Sequence, residues 1–275
     1  MELEERLRRA GGSAEELATI LFDRSEEVLL ALLDNPRLNE DHLKVLLARK
    51  ELRQGLLREL AARERLIRPY PVKVALVRHP HTPRSIALTL LRYLYTFDLV
   101  RVATTPSAGP EIRRVAEEAV VARLEGLSLG ERLSLARQGT TRIAAALLGD
   151  PDPGVFRTAL ENPRLTAEWV VRTLREDRLG PGPVEAIGLH PHWSTLYEVR
   201  LALIRHPATS LRRMLELVEQ VRRGDLADIT ADQRLPRERR QYLAHLLEVH
   251  HARARRPRGR AAEIAEDSDT VEDGS

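Results

Sequence analysis

The feature that most constrains this chain is an internal repeat at a constant offset of 127 residues. Tyr70–Leu91 (YPVKVALVRHPHTPRSIALTLL) reappears as Tyr197–Val218 (YEVRLALIRHPATSLRRMLELV), with ten of 22 positions identical. Within it Lys73/Arg200 and Val77/Ile204 are conservative exchanges. Without a gap, the same offset pairs Asp98-Leu99 with Asp225-Leu226, Glu111 with Glu238 and Arg113 with Arg240. Upstream it pairs Leu33-Asp34-Asn35-Pro36-Arg37-Leu38 with Leu160-Glu161-Asn162-Pro163-Arg164-Leu165, and Asp23 with Asp150. One residue of slippage brings Glu5-Arg6-Leu7 onto Glu131-Arg132-Leu133. Self-similarity at a fixed spacing is the mark of repeat architectures. The expected division is a first half over 1–127, a second over 128–250 and a separate tail over 251–275.

Each half contains shorter units that end in a polar residue followed by proline: Asn35-Pro36, His79-Pro80, Asp150-Pro151, Asn162-Pro163, His190-Pro191 and His206-Pro207. Proline cannot continue a helix and pushes the residue before it out of the α region, so each dipeptide reads as a helix stop. Thr82-Pro83, Thr166 and Thr209 then offer new helix starts. Between stops the apolar spacing is helical: Val72, Ala75, Leu76 and His79 form one stripe, and Val199, Ala202, Leu203 and His206 form its counterpart. No useful stretch alternates with period two. The expectation is all-α: short helices of about 8–15 residues joined by proline-marked turns. Such helices cannot each bury an apolar face alone, and stacking them makes one continuous core, which is the logic of an α-solenoid. Uneven spacing of the stops predicts a curved array rather than a regular superhelix.

Composition narrows the function classes. The 275 residues include no cysteine, which excludes disulfide scaffolds, thiolate zinc sites, iron–sulfur clusters and cysteine nucleophiles. No apolar run approaches the roughly 18 residues of a membrane span, and residues 1–20 lack the apolar region of a signal peptide, so a cytoplasmic protein is expected. The formal charge is +3; residues 261–275 carry six acids and no base, so residues 1–260 stand at +9. A basic body steers toward polyanions, but acidic side chains alternate with the arginines along most of the chain.

The recurring phrase Ala-Leu-x-x-[Asn/His]-Pro-x-[Leu/Thr], at Ala31–Leu38, Ala75–Thr82 and Ala202–Thr209, resembles bacterial HEAT-like repeat proteins, especially those of the leucine-rich repeat variant type. Leu160–Leu165 keeps the Asn-Pro-x-Leu end of the phrase. The resemblance covers roughly residues 15–250. It implies HEAT-like helical repeats and a role in protein–protein interaction or scaffolding, and it brings no catalytic motif or cofactor.

Each candidate functional residue also has a structural duty open to it. His79-Pro80-His81 and His190-Pro191-His192 have a spacing that can chelate a metal, but a histidine in the last helical turn equally meets free carbonyls and the negative end of the helix dipole, and no metal is expected. Asp98 and Asp225 each open an apolar segment, which suggests N-caps. Gly180-Pro181-Gly182-Pro183 reads as a turn and the longest irregular connection. Tyr70 and Tyr197 match at a helix start and suggest core or capping duty. Arg78 and Arg205, one residue before each His-Pro, carry guanidinium forks suited to carboxylate or phosphate partners. Trp169 and Trp193 occur only in the second half and mark places where the halves diverge, although packing suits tryptophan well. The Arg-rich stretch with Arg253, Arg255, Arg256, Arg258 and Arg260 has too few apolar residues to fold and offers a site for an acidic partner.

The leading expectation is therefore a non-enzymatic scaffold that recruits another protein, partner unspecified. The alternative is nucleic-acid binding through a basic face or the Arg-rich segment, by analogy with HEAT-like alkylpurine DNA glycosylases. A third reading, an enzyme or lyase on the same scaffold, requires a pocket of polar groups brought together from distant repeats.

Overall fold

The computed structural model describes residues 2–254 apart from Arg234, and among these every regular element is helical. The chain divides into two compact units, Met1–Leu165 and Thr166–Ser275. In the first unit α1 (Leu3–Ala10), α2 (Ala14–Ile20), α3 (Glu26–Leu33), α4 (Glu40–Ala48), α5 (Gln54–Ala62) and the single turn α6 (Glu64–Ile67) lead into α7 (Tyr70–Arg78). It continues with α8 (Arg84–Leu91), α9 (Thr96–Thr104), α10 (Pro110–Val121), α11 (Leu129–Gln138), α12 (Thr141–Leu147) and α13 (Pro153–Leu160). The second unit holds α14 (Ala167–Arg175), α15 (Pro181–Leu189), α16 (Tyr197–Arg205), α17 (Leu211–Val218), α18 (Arg223–Ala231) and α19 (Arg237–Ala254).

Helix ends fall where the backbone chemistry puts them. His79 and His206 close α7 and α16 in extended conformation, as the following proline demands. Several starts are capped by short polar side chains: Asp152 Oδ1 accepts from Gly154 N at 2.8 Å, Asn39 Oδ1 from His42 N at 3.0 Å and Ser210 Oγ from Arg213 N at 3.3 Å. Helix bounds also recur with the sequence offset. The starts of α2, α3, α4, α5, α7, α8, α9 and α10 plus 127 are the starts of α12, α13, α14, α15, α16, α17, α18 and α19. Packing partners recur too, since α1 packs on α3 as α11 does on α13, α4 on α7 as α14 on α16, and α9 on α10 as α18 on α19.

The core is built from leucine and valine on the helical stripes. Val72, Leu76 and Val77 of α7 are fully buried, as are Val199, Leu203 and Ile204 of α16. Each such side chain contributes about 1.5–3 kcal/mol by leaving water. One element of each stripe is polar: His79 and His206 are buried at its end.

Buried polar groups hold the turns, and they do so twice. Asn35 Nδ2 donates to Ala10 O (2.8 Å) and Gly12 O (3.3 Å) while its Oδ1 accepts from Arg37 N (2.8 Å). Asn162 repeats this with Ala136 O (2.7 Å), Gly139 O (3.3 Å) and Arg164 N (2.8 Å). The Arg6–Asp23 ion pair (2.9 Å) has its counterpart in Arg132–Asp150 (3.2 Å). Thus the Asn-Pro signature is an amide that satisfies carbonyls at the end of an earlier helix, which proline alone cannot do.

Three local expectations are corrected. Asp98 and Asp225 are not N-caps; they sit in the first turns of α9 and α18, whose N-cap positions are Tyr95 and Arg222. Their carboxylates accept the hydroxyls of Tyr70 (2.5 Å) and Tyr197, and those hydroxyls in turn accept from Tyr95 N (2.9 Å) and Arg222 N (3.0 Å). A tyrosine from two helices earlier therefore does the capping, because its reach places an acceptor on the free N–H. Thr82 and Thr209 likewise face backwards, donating to Leu76 O (2.7 Å) and Leu203 O (2.5 Å), while Pro83 and Ser210 begin the next helices. Gly180–Pro183 is a helix start rather than a long turn: Gly180 is the N-cap and Pro181 the first residue of α15, where a missing N–H costs nothing.

Candidate binding surfaces

Arg78 and Arg205 line two clefts whose walls overlap at corresponding positions, among them Lys50/Asp177, Ala75/Ala202 and His79/His206. The first, of about 280 Å³, is walled by Lys44, Lys50, Ala75, Arg78, His79 and Thr105. The second, of about 70 Å³, is walled by Arg175, Asp177, Glu198, Ala202, Arg205 and His206. Under the offset, Lys50 becomes Asp177, and Arg78, exposed in the first, becomes Arg205, whose Nε lies 3.8 Å from Asp232 Oδ2 in the second. The equivalent clefts thus differ in charge: the first carries cations and the second a balanced set.

The histidines at these clefts are occupied in holding backbone. His79 Nδ1 accepts from His81 N (3.2 Å), which leaves Nε2 as the proton-bearing nitrogen of the neutral ring, 2.7 Å from Arg49 O. His81 Nδ1 lies 2.9 Å from Leu52 O. The His79-x-His81 pair is thereby tied to two carbonyls. His206 repeats the first bond, accepting from Ala208 N at 3.1 Å, but its Nε2 has no hydrogen-bond partner among the described residues. The reason is the turn after α14: ψ is −5° at Glu176 against 118° at the matching Arg49, and Asp177 takes φ of 52°. The two carbonyls therefore point in different directions. Burial pushes both histidines below the usual range, and the Arg49 carbonyl and the Asp177 carboxylate respectively oppose that shift.

The other predicted residues are not brought together. Trp193 is buried in a 3-10 turn over Trp193–Thr195, edge-on to His192 with ring centroids 4.6 Å apart. Trp169 lies half-buried in the first turns of α14 under the Arg172 guanidinium, 4.9 Å from its centroid. Trp193 is thus part of the core, and Trp169 keeps part of its ring in solvent. Arg255, Arg256, Arg258 and Arg260 lie outside the described residues, as does the side chain of Arg253 in the last turn of α19. A larger cleft of about 610 Å³ opens beside Phe22, Arg24, Glu26, Arg49, Arg53 and Leu56. Its central arginine is committed to structure, with Arg49 donating to Leu21 O (2.5 Å) and Asp23 O (2.9 Å), and Arg53 pairs with Glu26 at 3.3 Å.

One surface was not singled out from the sequence. Tyr93, Tyr95 and Phe97, at the junction of α8 and α9, are 57%, 69% and 42% exposed. The Tyr95 ring rests on Tyr70, centroids 4.5 Å apart and planes at 37°. Tyr93 is flanked by Lys73 Nζ at 6.0 Å and the Arg92 guanidinium at 5.9 Å from its centroid. Burial and the Asp98 carboxylate push the Tyr70 hydroxyl up to about 12. The positions matching the three exposed aromatics are Gln220, Arg222 and Gly224, yet α18 keeps the bounds of α9 and Tyr197 keeps the role of Tyr70. The helix junction therefore does not require those rings. The signal was available: three aromatics at alternate positions in a chain with only ten, none of them matched 127 residues on.

Among the described residues no group of three or more His, Asp or Glu side chains is placed to hold a metal ion, and no helix is long and apolar enough to cross a membrane. Comparison with protein-family models, with curated proteins and with solved structures finds no match to this chain in any of the three.

Proposed function

We propose that this chain is a non-enzymatic helical-repeat scaffold of HEAT-like kind, built from two copies of one ancestral unit and recruiting another protein. The recurrence of helix bounds and of the Asn, Tyr–Asp and Arg–Asp clamps at one offset supports the two-copy α-solenoid reading. The observation that carries the functional reading is the exposed Tyr93–Tyr95–Phe97 surface. Its apolar area is left in water, although the same junction folds without it in the second copy. Tyrosine with nearby arginine is the composition that anchors protein–protein contacts.

The test is fluorescence anisotropy of labelled single- and double-stranded DNA and RNA across a salt series. It compares the full chain with a full-length variant in which Arg253, Arg255, Arg256, Arg258 and Arg260 become glutamine. The scaffold reading predicts weak binding that differs little between nucleic acids. Tight binding with a steep salt slope in both proteins overturns it in favour of a basic face. Tight binding lost in the glutamine variant moves the function to the Arg-rich segment.

A further inference from the structure

We propose that the Tyr93–Tyr95–Phe97 surface docks an extended peptide segment of a partner protein, one that offers a proline or aromatic ring beside carboxylates. This rests on the scaffold reading and names the partner chemistry of the same surface.

Three features point there. The Tyr95 ring is pre-positioned: its backbone N–H is held by the Tyr70 hydroxyl and one side of its ring is braced on Tyr70. A ring already fixed loses little conformational freedom on binding, which leaves more of its contact energy as affinity. Second, the cations beside Tyr93 have no carboxylate partner among the described residues: Lys73 Nζ donates to Arg68 O (2.9 Å) and Arg92 Nε to Thr89 O (3.1 Å). Charge complementarity therefore calls for acids on the partner. Third, flat tyrosine faces accept the ring of proline or of another aromatic, as aromatic-lined grooves do for proline-rich segments.

A polynucleotide fits less well, because the arginines along α8, α9 and α10 are largely neutralised by neighbouring carboxylates. Arg101 is paired with Asp98 at 3.3 Å, Arg114 with Glu118 at 2.7 Å, and Arg84 with Glu111. Lys73 and Arg92, the two cations against the Tyr93 ring, match two carboxylates on a peptide.

The experiment is phage display of random 12-residue peptides on the full chain, with counter-selection on a Y93A/Y95A variant. Anisotropy of the labelled consensus peptide follows. The expected result is a consensus containing proline or an aromatic next to Asp or Glu. Its affinity should fall at least tenfold in Y93A/Y95A and in K73E/R92E, and stay unchanged in a Q220A/R222A control on the second copy. Circular dichroism melts of each variant separate lost binding from lost folding, and the charge reversal leaves both rings in place. Peptides that bind all the variants equally overturn the docking surface while leaving the scaffold reading intact. Failure to enrich any peptide over the counter-selected protein also overturns the docking surface. If labelled oligothymidine also binds with a steep salt slope, the scaffold reading falls with it.

Discussion

Replacing Asn162 by aspartate should convert a turn clamp into a pH-dependent defect. The side chain is 3% exposed, with its Nδ2 aimed at two carbonyl oxygens, Ala136 O at 2.7 Å and Gly139 O at 3.3 Å. Aspartate keeps the shape and still accepts from Arg164 N, but it points an anionic oxygen at both carbonyls. Two donated hydrogen bonds are lost, at about 1 kcal/mol each. The charge penalty is capped, because the carboxyl takes up a proton rather than stay ionised. Protonating a group of normal pKa about 3.9 at pH 7 costs about 4 kcal/mol. The protonated acid regains one bond to Ala136 O, so the total is about 5 kcal/mol at pH 7 and about 1 kcal/mol near pH 4. The sign follows from linkage. The folded-state pKa is raised above the unfolded value, so the variant is least impaired below about pH 4 and loses stability as pH rises above it. At roughly 2–4 °C per kcal/mol for a unit of this size, the Tm deficit against the parent is about 10–20 °C at pH 7 and a few degrees at pH 4. Melts by far-UV circular dichroism, variant against parent at each pH, measure it. N35D should behave alike, since its amide faces Ala10 O and Gly12 O at 2.8 and 3.3 Å. A deficit that does not depend on pH, or N162D melting with the parent at pH 7, refutes the reasoning.

Removing one hydroxyl tests the tyrosine clamps: Y70F and Y197F should each cost about 2–3 kcal/mol in urea unfolding. Each loses a bond to a carboxylate and leaves a helix-starting N–H unpaired. A cost below about 0.5 kcal/mol for either would mean that water replaces the clamp. Acid should also loosen the parent through His79 and His206. Burial holds both below the usual histidine pKa, so the stability they allow is present above about pH 6.5 and declines as pH falls below it. A Tm that stays level from pH 7.5 to 5 would contradict this. H206Q should weaken the pH dependence without abolishing it, because His79 remains.

Much of the fold was legible in one dimension because its rules are local. Proline after Asn or His ends a helix whatever surrounds it, and the apolar stripe of α7 can be read from Val72, Ala75, Leu76 and His79 alone. The offset of 127 residues, visible by eye in the residues, reappears in the helix bounds. The clamps were less legible. Asp98 looked like a cap because capping is the usual duty of an aspartate at a helix start. The acceptor for that helix start came instead from Tyr70, 25 residues before Tyr95. Nor does spacing reveal that Asn35 reaches back to Ala10, or that Thr82 turns toward Leu76.

For the candidate surfaces, the sequence by itself determined which residues could differ between the copies, and tertiary structure decided which differences face solvent. Trp169 and Trp193 are aromatics that the first half lacks, yet they are half-buried and buried. Tyr93, Tyr95 and Phe97 were equally unequal between the copies, and they remain in water. Arg78 and Arg205 are the same residue at the same helix end, yet only Arg205 meets an aspartate, Asp232, where the first copy has Thr105. Helix periodicity and proline stereochemistry act within a few residues and are written along the chain. Exposure and charge balance depend on which helix packs beside which, and that sum over distant neighbours exists only once the chain has folded.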